Sequence, residues 1–445
     1  MRRVPLRVLL LVAPAALAAC GPRVPRAVRR PPTPPLALGV AVFEGVNVVR
    51  MDRDTVLRDQ TVVVRDGRID RVGPAASTPM PAGALRIDGR GRYLMPALAD
   101  MDVQLSPNSW RLRRELALYV AHGVTMVRNL DGRSPHVRWR ERVRRGEVLG
   151  PAILTCGPPI ASDTSLLGRS DDLLGNRIAA LGTNVERLLR DRRPAVSIRP
   201  EVMDQRRAGY DCVAVDSPSD WTPARYDALV AATRAMSMPL VGDFARNLPL
   251  DVNLRGRTTA DRLDAYFREQ LTPDAYSDEP TARDSLSRDV ARRTRAAGVA
   301  VTTRLARTSS ADRPLMRRLV RALATEDATL LLGTGATLRS TIAPGASAHR
   351  ELRELVGAGL SPFEALRTAT ANPALVLGAP GDFGIVVPGA RADLLLLDAN
   401  PLEDVANTER LAGVMVRGRW LGAADLRRMR DEARAGRRRR GWLGF

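Results

Sequence analysis

A (β/α)8 TIM barrel, with a small β-sandwich domain assembled from segments near both chain ends, is the fold this sequence predicts. Three observations point to it. From about Pro96 to Asp382, short apolar runs such as GVTMVRNL, AILTCGP, YDCVAVD, MPLVGDF, GVAVTTRL and ATLLLGTG alternate with longer amphipathic, arginine-rich stretches. Strands alternating with helices over that length argue for parallel α/β architecture, and the length suits eight βα units. β-type patterning brackets this region: GVAVFEGVNVV and QTVVVRDGRIDRVG precede it, while ADLLLLD and the stretch Leu411 to Leu421 follow. Finally, 445 residues with 44% hydrophobic content supply material for one large core and one small one.

Taken in order, residues 1–20 have the form of an export signal. Arg2, Arg3 and Arg7 make a positive start, VLLLVAPAALA is a short apolar core, and small residues lead to a cysteine. The apolar run is too short to span a bilayer convincingly. LAAC (Leu17 to Cys20) resembles a bacterial lipobox, which implies a lipid on Cys20 and an exported, membrane-anchored protein on the extracytoplasmic or periplasmic side of the cell envelope. An ordinary secretory signal or an uncleaved anchor is the alternative. Residues 21–36 are rich in Pro and Arg and read as a tether. Residues 37–95 form the first part of the sandwich, with an Asp66-Gly67 hairpin turn. Residues 96–383 form the barrel, 384–423 the second part of the sandwich, and 424–445 a basic helical tail, helix-prone to about Ala435 and then basic, read as a solvated terminal helix with a frayed end, the alternative being that Trp442, Leu443 and Phe445 touch a membrane surface. With Cys20 lipidated, Cys156 and Cys212 remain as thiols in a disulfide-permissive compartment. Spacing does not say whether they meet, and small buried core residues is the reading for both.

The formal charge is +20, and every one of the 69 basic residues is arginine, a uniformity that reflects genome composition rather than a binding surface. Part of the excess is local, at Arg23, Arg26, Arg29 and Arg30 and in the run Arg437 to Arg440. An aromatic content of 4%, with no stacking platform or recognition motif, argues against nucleic acid as a partner. Cys156 and Ser162 are conceivable nucleophiles, yet none of His122, His136 and His349 stands in a recognisable triad relation to them. No two of these histidines share a metal-binding spacing, so structural or surface roles are assigned to all three.

Several longer segments carry a resemblance: GRYLMPALADM (Gly91 to Met101), AHGVTMVRNLDG (Ala121 to Gly132), RGEVLGPAILTCGPPI (Arg145 to Ile160), GLSPFEALRTATANPALVLG (Gly359 to Gly378) and Phe383 to Leu421. Together they resemble the amidohydrolase superfamily, on the branch similar to imidazolonepropionase and Xaa-Pro dipeptidase (prolidase), over about Val40 to Leu421. The resemblance implies metal-dependent hydrolysis of C–N or dipeptide bonds, in which one or two divalent ions polarise the scissile carbonyl and activate a water.

The same resemblance implies six functional positions, and this chain departs from the pattern at each. A His-x-His pair is expected at the end of the first barrel strand, where residues i and i+2 share a face; here Asp102 and Gln104 stand there. The bridging lysine belongs in a GYDxIKV-like strand, matched by GYDCVAV with Ala214 in its place. A histidine in a PVxGHxxR-like strand is matched by Asp243 of PLVGDFAR, and a second, in SIEHLDGY, by Arg262 of TADRLDAY. The catalytic aspartate of GTDA is matched by Gly335 of GTGA.

Without imidazoles or lysine, this set suits no transition metal, and no cofactor is expected. A guanidinium beside two carboxylates is expected to close the former cavity as a hydrogen-bonded network of Asp102, Gln104, Asp243 and Arg262. The functional expectation is a degenerate, non-catalytic member that binds a small-molecule ligand or a partner, as a homo-oligomer or beside an active paralogue as a hetero-oligomer. Two alternatives stay open. One is a working hydrolase of a small amide, dipeptide or cyclic substrate, with Asp102 and Asp243 holding Zn, Mn or Ca. The other is an envelope polyanion-binding protein that uses its arginines.

Overall fold

The computed structural model describes residues 39–160, 198–215, 221–245, 247–263, 266, 280–337 and 343–441. The predicted export signal, Cys20, the tether, Ser162 and the terminal Trp442, Leu443 and Phe445 lie outside the described residues. Five strands come first: β1 (Ala41–Val49), β2 (Val56–Arg65), β3 (Arg68–Pro74), β4 (Leu85–Asp88) and β5 (Tyr93–Pro96). Asp66 and Gly67 join β2 to β3 with φ of 49° and 76°, the left-handed pair that a two-residue hairpin turn demands.

The barrel follows as β6 (Leu98–Val103), β7 (Val124–Asn129), β8 (Ala152–Thr155), β9 (Val213–Val215), β10 (Leu240–Gly242), β11 (Thr259–Asp261), β12 (Ala300–Thr302) and β13 (Leu330–Leu331). Every residue of β6 and β7 is buried, as expected of parallel strands covered on both faces. The ladders β6–β7–β8, β9–β10 and β11–β12–β13 are all parallel. Parallel bridges Cys156 to Cys212 and Ile160 to Val215 connect β8 to β9, and Thr258 N donates to Leu240 O at 2.8 Å between β10 and β11. A bridge from Val103 to Ala336 joins the last strand region to the first, so the sheet closes.

Helices α1 (Ser109–Ala121), α2 (Ser134–Arg144), α3 (Ile198–Arg207), α4 (Pro223–Ala235), α5 (Leu250–Leu254), α6 (Pro280–Ala296), α7 (Arg313–Thr325) and α8 (Ala346–Gly357) alternate with these strands. Their starts are written in the sequence: Asn108 accepts from the backbone of Trp110 and Arg111 to cap α1, and Thr222 caps α4 ahead of Pro223. Two short helices follow, α9 (Pro362–Arg367), opened by the Ser361–Glu364 capping box, and α10 (Ala371–Val376).

Strands β14 (Leu394–Leu397), β15 (Leu411–Val416) and β16 (Arg419–Gly422) complete the second domain. Its order is β16-β15-β14-β5-β1-β2-β3, with β4 on β1, so strands from both ends share one hydrogen-bonded sheet. Phe43 of β1 and Trp420 of β16 have ring centroids 5.5 Å apart. Four strand spacings separate them along the sheet, about 19 Å if it lay flat. The sheet therefore folds over to enclose a core of its own, which includes Val48, Val62, Ile69, Leu394 and Met415.

Two expectations need correction. The chain end is helical well past Ala435, as α11 (Ala423–Gly441), and it docks rather than standing solvated: Leu426 and Ala433 are buried, and Arg430 donates to Ala121 O at 3.1 Å. Cys156 and Cys212 are buried as expected, but they form a disulfide with Cα atoms 4.3 Å apart. Adjacent parallel strands bring the two together across 56 residues of sequence, which spacing alone could not reveal.

Candidate functional site

At the C-terminal ends of the barrel strands lies a cavity of about 420 Å3. Asp102, Gln104, Ala214, Asp243 and Arg262 all line it. Gly335 adjoins it, donating its N–H to the main-chain oxygen of Asp102 at 2.7 Å. The six positions singled out in the sequence therefore converge. Of the four side chains expected to make one network, Arg262 and Asp243 are hydrogen-bonded, while the cation nearest to Asp102 is Arg304.

Arg262 follows β11 with a φ of 100°, a conformation that costs a residue other than glycine on the order of 1–3 kcal/mol. Its Nη1 donates to Asp243 Oδ2 at 2.7 Å, so this half of the expected network is present. Asp102 is paired differently. Its carboxylate, 1% exposed, meets Arg304, whose Nε lies 3.1 Å from Oδ2 outside hydrogen-bond alignment. Burial pushes the Asp102 carboxyl above its usual range, and the Arg304 charge works against that push. Gln104 is exposed, and its backbone N–H donates to Ala336 O. The turn after β12 supplies a second cation beside Asp102, and that carboxyl also feels the Arg128 and Arg262 charges.

Sequence reasoning missed Arg304. It too sits on left-handed backbone, at φ 89°, two residues beyond β12. Glu351 of α8 holds that turn: it accepts from Thr303 Oγ1 at 2.6 Å and from the backbone N–H groups of Arg304, Leu305 and Ala306 at 2.8, 2.8 and 2.7 Å. The guanidinium lies over Gly335. A Cβ built there would stand 2.1 Å from Arg304 Nη2 and 2.7 Å from both Cζ and Nε, so the bare glycine makes the room. Arg307 Nη1 donates to Gly335 O at 2.6 Å from the same turn. A usable signal existed: once GTDA becomes GTGA, a buried Asp102 still requires a cation, and some strand end must provide it.

Beneath the mouth is a second, drier cluster that the sequence reading also overlooked. Arg128 of β7 donates to Met101 O at 2.7 Å, to Thr259 Oγ1 at 3.0 Å and to Asp261 Oδ1. Asp261 Oδ2 accepts from Gly242 N at 2.7 Å and Thr259 Oγ1 at 2.8 Å, and Oδ1 from the Thr302 hydroxyl. On β6, Asp100 shares a face with Asp102 and accepts from Thr334 N at 3.0 Å and Thr334 Oγ1 at 2.6 Å. Burial raises its carboxyl to about 8, with the Asp102 charge adding to the effect and the Thr334 bonds opposing it.

The histidines stand apart from the cavity. His349 is buried between Thr408 Oγ1 and His122 O, at 2.8 and 3.0 Å, and His136 Nδ1 accepts from Arg133 N at 3.0 Å. Each is held neutral by burial, with His349 lowered to about 4 and His122 to about 3. Cys156, as half of a disulfide, offers no thiol.

These donors do not fit a divalent metal. Asp102 and Asp243 each face a guanidinium, Arg262 places a positive charge among the positions that the resemblance assigns to metal ligands, and Gly335 and Ala214 carry no side-chain donor atom. Among the described residues, no group of three His, Cys, Asp or Glu side chains is placed to hold an ion.

Comparison with known proteins gives likenesses of three kinds: to a family, to a protein sequence and to solved structures. Residues 272–421 match the amidohydrolase family. A 66-residue stretch is 48% identical to the imidazolonepropionase of Rubrobacter xylanophilus, covering 14% of this chain and 16% of that protein, so the match spans less than two thirds of the relative. Among solved structures, molinate hydrolase superposes with a TM-score of 0.70 at 18% identity, over 86% of this chain and 94% of that one. A Xaa-Pro dipeptidase does so with a TM-score of 0.66 at 15% identity, over 86% and 100%. At these identities the structural likeness establishes a shared fold.

Proposed function

From the premise that this chain belongs to the amidohydrolase superfamily, on its imidazolonepropionase- and prolidase-like branch, we propose that it has given up metal-dependent hydrolysis and keeps the barrel-mouth cavity to bind a small molecule. One observation carries this reading. The two carboxylates that could have served as metal ligands are each neutralised by an arginine of the chain, Asp102 by Arg304 and Asp243 by Arg262. A metal ion would have to displace both guanidiniums from partly or wholly desolvated carboxylates, against attraction that is strong in such surroundings.

We also place the protein outside the cytoplasm, tethered by a lipid on Cys20. The Met1 to Cys20 pattern supports this, and so does the Cys156–Cys212 disulfide, a bond that persists in oxidising compartments. In such a setting the cavity would serve capture or presentation of its ligand, alone or beside a catalytic relative.

Elemental analysis tests the reading. Purified protein, incubated with Zn2+, Mn2+ or Ca2+ and desalted, is expected to retain far less than one equivalent and to leave a panel of amides, dipeptides and cyclic amides unhydrolysed. Near-stoichiometric metal that disappears in the Asp102→Ala/Asp243→Ala variant would sink the reading and restore a working hydrolase with a rebuilt carboxylate site.

A further inference from the structure

We infer that the guanidinium of Arg304 is the resident cation of this pocket: it stands beside Asp102 in the place a metal ion and a side chain at position 335 would share, so that residues 304 and 335 act as one exchangeable unit. This rests on the metal-free reading above and names the residue that enforces it.

Three independent features converge on Arg304. The first is space. Its Nη2, Cζ and Nε lie within 2.1 to 2.7 Å of where a Cβ at 335 would stand, so any side chain at 335 would require the guanidinium to leave its place beside Asp102. The second is charge. Asp102 is almost wholly buried, and the Arg304 Nε at 3.1 Å is the cation nearest to its Oδ2 among the ion pairs of the described residues. An ionised carboxylate in that position needs a counter-charge, from a guanidinium or from an ion. The third is construction. Arg304 is held in left-handed backbone by four donors that converge on one buried carboxylate, Glu351, spanning Thr303 to Ala306. Strained backbone persists only where its surroundings over-determine it, and here they aim one side chain at Asp102.

Gly335 itself has φ 59°, a conformation that aspartate tolerates better than most residues. Left-handed backbone and the guanidinium therefore both oppose a side chain at 335, and removing Arg304 lifts only the second obstacle. An aspartate at 335 with the guanidinium removed would leave two carboxylates, at 102 and 335, facing one vacated space, an arrangement that hard divalent cations accept.

The test is a double-mutant cycle on the full-length protein, read as melting temperature with EDTA or with about 1 mM Mn2+. Arg304→Met keeps the apolar stem and removes the charge. Gly335→Asp alone is expected to lower the melting temperature by several degrees, as is Arg304→Met alone. The double variant should melt well above the sum of the two losses, and Mn2+ should raise it by about 3 °C or more while leaving the wild type unmoved. Gly335→Ala paired with Arg304→Met repeats the steric half of the cycle without the second carboxylate, should the Asp variant fail to fold. Additive losses overturn the inference, and so does a double variant that Mn2+ does not stabilise. Metal retained by the wild type itself would instead overturn the proposed function, and elemental analysis reads that outcome separately.

Discussion

Two arginine–carboxylate clusters lie one above the other in this barrel, and they are built differently. The lower one, Arg128 with Asp261, joins β7 to β11, and both side chains stand on extended strand backbone with 3% and 0% exposure. Thr259, Thr302, Gly242 and Met101 supply the remaining hydrogen bonds. The upper pairs, Arg262–Asp243 and Arg304–Asp102, hang from left-handed residues just past the strand ends, and Arg262 is 34% exposed. A well-satisfied pair on regular strands belongs to the framework of the barrel. Pairs held by strained turns around a cavity have the character of a site, because strained backbone is kept where its surroundings over-determine it.

The most severe way to challenge that contrast is to break the lower cluster. Arg128→Met removes the cation and keeps much of the volume, leaving Asp261 buried with hydrogen bonds but without the Arg128 charge. The expected loss is about 3–5 kcal/mol, read by urea or guanidinium unfolding at pH 7. A loss below about 1 kcal/mol would mean that the Arg128 charge contributes little to holding the barrel, and the two clusters would no longer differ in kind.

Asp100, between the clusters on β6, gives a smaller effect with a sign that can be worked out. Its folded-state pKa is raised to about 8 from 3.8, chiefly by burial, so the folded protein binds this proton where the unfolded chain has released it. Its contribution therefore favours folding fully below about pH 4 and fades as pH rises through the window to about 8. Asp100→Asn keeps an acceptor for Thr334 N and turns a donor to Thr334 Oγ1. The variant is expected to flatten the fall in stability between about pH 5 and 8 and to gain on the order of 1–2 kcal/mol over the wild type at pH 8. Parallel curves for the wild type and the Asp100→Asn variant across that range would show that the carboxyl is ionised in the fold, and would move Asp100 from the framework into the site.

How much of this was legible beforehand depended on distance along the chain. The barrel strands announced themselves through local alternation, and the Asp66-Gly67 turn through residue type, because both properties are carried by neighbours in sequence. The six departures from the family pattern were legible because each sat inside a matched motif. Arg304 was not: it lies in TTRLAR among many arginines, and its meaning comes from Gly335, which follows the next strand over. Glu351 and the Cys156–Cys212 bond escaped for the same reason, since strand order decides which residues meet. The docking of α11 on α1 was hidden by the arginine-rich composition of the tail, in which the buried Leu426 and Ala433 are apolar residues on an otherwise polar helix.

The finest discrimination lies within the upper pairs. Arg262→Gly would relieve a φ of 100°, which glycine adopts without steric cost, a gain of about 1 kcal/mol. It would also forfeit a bond to Asp243, whose side chain is only 10% exposed although the guanidinium is one-third exposed, a loss of about 1–2 kcal/mol in that setting. The two effects nearly cancel, so Arg262→Gly should leave stability within about 1 kcal/mol of the wild type in the same unfolding assay. Arg304→Gly relieves comparable strain at φ 89° but takes the nearest and strongest counter-charge from Asp102, which is nearly inaccessible to water, and should cost clearly more. The order of these two variants, rather than either value, carries the information: if Arg262→Gly proves the more damaging, the cation that holds the pocket together is the one following β11, and the role assigned to the turn after β12 passes to Arg262.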